Sequence, residues 1–159
     1  MLLYFVAFDL SVVFSESMSP ALQGTSFANG DCVLTEKISY RLRAPQRWEV
    51  VTFIDDTGLR VMKRVVGLPG EQIRLRRGQP LEIDGRPLDI PERLPYLHYI
   101  PYGNLADGKP VACGTGYYLL GDDSRDSNDS RFEGSVPRAK ILGRAWLIVG
   151  PRPRYGFVN

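Results

Sequence analysis

Glycine and proline break this chain so often that no stretch keeps an apolar stripe at helical spacing, and what survives between the breaks is strand-like. The 16 glycines and 12 prolines leave short runs rich in Val, Ile, Phe and Tyr, each bounded by turn residues. Such runs are expected over residues 4–14, 31–36, 49–54, 60–66, 72–75, 117–120 and 145–149. The segment 81–88 carries Asp84-Gly85 between apolar residues, a pair that suits a two-residue hairpin turn. Residues 91–116 are rich in Pro, Gly and Tyr without a clear period, which suggests an inserted, loop-rich lobe. The expected fold class is therefore mostly β: a compact, partly closed β-barrel-like core with a smaller inserted loop-rich β lobe. One domain over 1–159 is expected, with a β core of 1–75 and 117–159 and a smaller inserted lobe of 76–116.

Size and charge narrow the function classes. A chain of 159 residues can bury about 70% of its unfolded surface, enough for a real core. Its net charge of +2 and the absence of any Lys/Arg tract argue against a nucleic-acid partner. The two cysteines, Cys32 and Cys113, lack metal-like spacing, so they read as two buried thiols or as one disulfide of an exported domain. Asp55-Asp56 and Asp122-Asp123 have no further ligand spacing to support a metal. Gly114-Thr115-Gly116 lacks the lysine and helix that a phosphate cradle needs.

The chemistry concentrates in two places. Ser17-Met18-Ser19-Pro20 puts a serine on a tight, proline-ended turn, and Lys63 lies within the apolar run Val61-Met62-Lys63-Arg64-Val65-Val66. A serine hydroxyl becomes a nucleophile when a neighbouring base takes its proton, and a lysine can be that base when neutral. Burial favours the neutral amine. On a strand Lys63 shares a face with Val61 and Val65, so a depressed pKa is expected there. A Ser-Lys pair needs no histidine, and the lone His98 has no partner motif around it.

Four boxes surround this pair: Ser15-Glu16-Ser17-Met18-Ser19-Pro20-Ala21-Leu22; the strands Gly30-Asp31-Cys32-Val33-Leu34 and Arg47-Trp48-Glu49-Val50-Val51-Thr52-Phe53; Lys63-Arg64-Val65-Val66-Gly67-Leu68-Pro69-Gly70-Glu71; and Gly121-Asp122-Asp123-Ser124-Arg125-Asp126-Ser127-Asn128-Asp129-Ser130-Arg131. Together they resemble type I signal peptidases, the membrane-associated serine proteases that remove signal peptides from exported proteins.

The resemblance implies Ser17 as nucleophile and Lys63 as general base, then acid to the leaving amine. It implies that Ser15 adds a hydroxyl to the oxyanion hole beside the Ser17 N–H, and that Ser127 hydrogen-bonds and orients the lysine amine. Asp129 and Arg131 match an ion pair near the site, and Asp122 a loop-bracing carboxylate. Phe14, Met18, Leu22 and Met62 would line shallow apolar pockets that admit small residues at the first and third positions before the cut. An extended peptide would add as a strand beside the segments carrying Ser17 and Lys63. Three positions depart from the usual pattern: Asp123 for asparagine, the displaced Ser124-Arg125, and Ala21 for threonine.

The same resemblance implies preprotein signal peptides and a membrane lipid surface as partners. It implies no metal or organic cofactor, no nucleic acid, a monomer, and a catalytic domain on the extracytoplasmic face. Residues 1–14 are too short to span a bilayer, which needs about 20 apolar residues. Either an anchor precedes this chain in a longer form or exposed apolar surface holds the membrane. Three alternatives remain at this stage: a self-cleaving Ser-Lys regulator, a maturation peptidase for pilin or conjugation substrates, and a non-catalytic β module.

Overall fold

The computed structural model describes residues 7–159. Among the described residues eleven strands form two antiparallel sheets. The larger sheet contains β1 (Phe8–Val12), β2 (Cys32–Glu36), β3 (Val50–Ile54), β4 (Arg60–Gly67), β9 (Tyr118–Leu120), β10 (Ile141–Gly150) and β11 (Gly156–Phe157). Its order is β1-β2-β10-β3-β4-β9, with β11 pairing β10 to one side. The smaller sheet holds β5 (Gln72–Arg74), β6 (Glu82–Ile83), β7 (Arg86–Pro87) and β8 (Val111–Ala112), in the order β7-β6-β5-β8. The first expected run, 4–14, lies partly outside the described residues; within them it is β1. The fold is mostly β and antiparallel, and no pairing among the described strands closes it into a barrel.

Composition explains why β3 sits centrally. Val50, Val51, Thr52 and Phe53 are all buried, as β-branched and aromatic residues are when a strand is covered on both faces. Val50 belongs to a cluster with Val13, Met18, Leu22, Val33, Ala145 and Ile148. Val51 and Phe53 face the other way, into a cluster with Tyr40, Val65, Leu119 and Ile141. Each fully buried side chain such as Leu22 contributes about 1.5–3 kcal/mol relative to exposure. Over β10, on one face of the sheet, Thr35 of β2 and Thr52 of β3 hydrogen-bond through their hydroxyls at 2.7 Å, so polarity in the sheet's middle costs little.

The sheet is strongly curled. β2, β10 and β3 stand between β1 and β4, which in a flat sheet would put β1 and β4 about 19 Å apart at ~4.8 Å per strand. Yet Arg60 Nη2 on β4 lies 3.1 Å from Asp9 Oδ2 on β1. The inner face of β1 (Asp9, Ser11), with Val13 just after it, is therefore turned toward β4 across a groove.

The expected hairpin forms between β6 and β7, with Asp84 (φ 50°) and Gly85 (φ 77°) in left-handed conformation, which glycine and aspartate tolerate best. Residues 91–116 prove less loose than their composition suggests: Leu94, Leu97, Tyr99 and Leu105 are buried with Ile73, Leu75, Ile83, Tyr118 and Leu120. The described residues also form two one-turn helices, α1 (Ser39–Leu42) and α2 (Ser130–Glu133), and three short 3-10 turns. Both cysteines are free thiols, Cys113 buried and Cys32 half-buried. Among the described residues no helix is long and apolar enough to cross a membrane.

Candidate active site

After β1 the chain turns at Ser15–Ser19, held by Ser19 N–H donating to the Glu16 carbonyl (2.8 Å) and Leu22 N–H to the Met18 carbonyl (2.9 Å). Met18 and Leu22 anchor the turn in the core, which leaves Ser17 fixed above it and 6% exposed. β4 delivers Lys63, 3% exposed, through its pairing with Val51 of β3. Lys63 Nζ lies 2.5 Å from Ser17 Oγ, so residues 46 apart in sequence meet in a buried hydrogen bond.

Electrostatics suit a lysine base. Desolvation lowers the Lys63 pKa from 10.5 to about 8, against the pull of Asp129, Asp122 and Glu133, which favour its charge. A neutral amine at this distance can take the Ser17 proton directly. Ser15 Oγ lies 3.1 Å from Ser17 Oγ, within reach of an oxygen developing negative charge beside the nucleophile.

A second layer holds the lysine's surroundings. Next along β4, Arg64 is fully buried and forks onto Asp122, Nε to Oδ1 at 2.7 Å and Nη2 to Oδ2 at 2.6 Å. It also donates to the carbonyls of Trp48 and Asn159, each at 2.7 Å. Burial works against the Arg64 charge, and the Asp122 carboxylate more than offsets it, raising the guanidinium's pKa. Asp129 is buried and accepts Arg131 Nε at 2.9 Å and Nη2 at 2.8 Å, while Arg131 Nη1 donates to the Ser124 and Ile100 carbonyls.

Ser127 differs from expectation. Its hydroxyl donates to Asp129 Oδ2 at 2.7 Å, and no hydrogen bond joins it to Lys63. An ionised carboxylate already aimed by Arg131 is the stronger acceptor, so the hydroxyl is taken by it. Ser127 instead packs behind Ser17 through Gly121. A Cβ at Gly121 would stand 2.2 Å from Ser127 Oγ and 2.6 Å from the Ser17 carbonyl. Only glycine lets these three segments converge.

The four apolar residues named from sequence come together. Phe14, Met18, Leu22 and Met62 line a cavity of about 130 Å³ that opens onto Ser17 and Lys63. Ser11, Val13, Arg60 and Val61 line it too and were not singled out in the sequence. Neither were Arg64 and Gly121. Arg64 carried a usable signal: a second cation beside Lys63 inside an apolar strand. His98 is exposed and borders a separate groove with Ser19, Pro20 and Arg125. Asp55 braces its own turn through the Thr57 and Leu59 N–H groups, and Asp56 pairs with Lys140.

Comparison with known proteins comes to the same place. Residues 1–149 match the family model described as signal peptidase, peptidase S26. The chain is 38% identical over 153 residues to a Synechocystis sp. protein named "Probable signal peptidase I-2", covering 91% of this chain and 64% of that one. It is 34% identical over 159 residues to "Signal peptidase I" of Leptolyngbya laminosa, covering 89% and 72% respectively. The crystal structure of a signal peptidase I from Enterococcus faecalis V583 matches with a TM-score of 0.50 at 28% identity, over 64% of this chain and 97% of that one.

Proposed function

Because the chain belongs to the signal peptidase family, peptidase S26, we propose that it is a serine endopeptidase that removes N-terminal signal peptides from exported preproteins after small residues. The observation that carries this reading is the buried 2.5 Å contact between Lys63 Nζ and Ser17 Oγ at the mouth of a small apolar cavity. Ser17 attacks the scissile carbonyl while Lys63 takes its proton, and the tetrahedral oxyanion is met by the Ser17 N–H and the Ser15 hydroxyl. Lys63, now charged, protonates the leaving amine; water then repeats the cycle on the acyl-enzyme.

Phe14, Met18, Leu22 and Met62 form the walls that reject large side chains near the cut. Among the described residues two edges are free to receive an extended peptide: β1 pairs only β2, and β4 pairs β9 only from Arg64 onward. Asp122 with Arg64, and Asp129 with Arg131, hold the last box against the site, and Ser127 acts through Asp129. We read the curled sheet as a partly closed barrel, because Arg60 and Asp9 meet across it. On this division 1–75 and 117–159 are the core and 76–116 the inserted lobe, whose small sheet borrows β5. A monomer acting at the extracytoplasmic membrane face fits the exposed Phe14 and Phe27, whose rings pack edge to face at 4.7 Å beside the cavity.

The test is cleavage of a preprotein bearing an Ala-x-Ala site, in detergent or lipid, by the parent, Ser17→Ala and Lys63→Ala. The parent should cut after the second alanine, and both variants should be folded and inactive. Activity surviving in Lys63→Ala would remove the dyad, and a parent that cuts only another substrate class would remove the signal peptidase reading.

A further inference from the structure

The inner face of β1, continued by Val13 just after it, carries three side chains pointing into the groove, and two of them are accounted for. Asp9 meets Arg60 of β4 at 3.1 Å and marks the groove's far end. Val13 packs with Met18, Leu22 and Met62 beside Ser17. Between them sits Ser11, whose Oγ is shut off from solvent and has no hydrogen-bond partner among the described residues. It lines the same cavity as Ser17 and Lys63. Leaving a buried hydroxyl unpaired is costly, and native proteins seldom do so without a reason.

Spacing says what would pair with it. In an extended peptide, side chains two residues apart lie on one face, about 6.7 Å apart. Ser11 and Val13 have that same separation along the chain. A peptide laid along β1 with its last residue before the cut over Val13 and Met18 therefore brings its third residue before the cut over Ser11. The wall opposite offers Met62 and the aliphatic part of Arg60, so Ser11 is the hydroxyl-bearing side chain at that position, and a turn about its Cα–Cβ bond carries the buried, unpaired Oγ round to the cavity.

We propose that Ser11 is a specificity-determining residue that selects a hydroxyl-bearing side chain, threonine or serine, at the third position before the cleaved bond. The inference rests on the signal peptidase reading of the site. The substrate hydroxyl donates to or accepts from Ser11 Oγ, and its own desolvation is offset by that bond. An apolar residue of the same shape leaves Ser11 unpaired. A site built to hydrogen-bond a hydroxyl discriminates against the analogue lacking it.

Threonine and valine are isosteric, so they separate hydrogen bonding from pocket size. The experiment measures kcat/KM for two preproteins that differ only in Thr or Val at the third position, with a third carrying Ala, for the parent and Ser11→Ala. The Thr:Val ratio should fall about five- to tenfold in Ser11→Ala, the worth of one neutral hydrogen bond, with the alanine substrate as the common reference for both. Thermal unfolding of Ser11→Ala without substrate should match or exceed the parent, since no internal bond is lost. An unchanged Thr:Val ratio, or a clear drop in Tm, overturns the assignment of Ser11 and leaves the signal peptidase reading standing. Failure of the parent to cut any of the three substrates overturns that reading, and the assignment with it.

Discussion

Keeping Lys63 3% exposed beside Ser17 costs the fold stability, and Lys63→Met should recover it. Methionine nearly matches the lysine stem in volume and carries no charge, so it removes the ionisable group with little change in packing. The folded pKa of about 8 lies below the ordinary 10.5. Between those values the unfolded chain binds the proton and the folded one does not, so stability rises with pH across that window. Integrated, the penalty is about 3 kcal/mol at pH 7 and about 1 kcal/mol at pH 9.5. Losing the Ser17 hydrogen bond subtracts about 1 kcal/mol, and Ser17 keeps Ser15 as a partner. Lys63→Met should thus be about 2 kcal/mol more stable than the parent at pH 7 and nearly equal to it at pH 9.5. Urea unfolding of both proteins at the two pH values reads this directly. A variant less stable than the parent at pH 7, or a gain independent of pH, would refute the claim that burial sets the lysine's pKa.

Two further substitutions probe the machinery. On the proposed mechanism Ser15→Ala removes one oxyanion donor, and it should lower kcat by about 10²–10³ with little change in KM, measured on the Ala-x-Ala preprotein. Gly121→Ala drives a methyl to within 2.2 Å of Ser127 Oγ and 2.6 Å of the Ser17 carbonyl. It should destabilise the fold by about 1–3 kcal/mol in urea and depress kcat as the nucleophile turn shifts.

Much of the site could be read from the chain because it depends on local chemistry. Ser17 sits on a turn written by Met18, Ser19 and Pro20, and Lys63 on a strand written by its β-branched neighbours. Each is legible without its partner, whereas the four cavity residues are reached through the family resemblance, since a Met or Phe on a strand reads locally as core. Ser127 was legible as a site residue but not in its bond, because its acceptor is chosen by how Arg131 aims Asp129 and by the close approach at Gly121. The curl that turns Asp9 and Ser11 toward β4 has no local signature either; it accumulates over the four strand pairings from β1 to β4. In 91–116, Leu94, Leu97 and Leu105 are buried singly from irregular backbone, so no period announces them. The short strands β8 and β11 owe their pairing to neighbours, not to their own two residues.

The central claim is that neutral Lys63 activates Ser17, and the pH dependence of kcat/KM on the Ala-x-Ala preprotein tests it most directly. With a pKa of about 8, about a tenth of the lysine is neutral at pH 7. The rate should therefore climb about tenfold per unit below that pH and level off above about pH 8–9. A flat profile, or a break in the ordinary histidine range near about pH 6.5, would contradict the account.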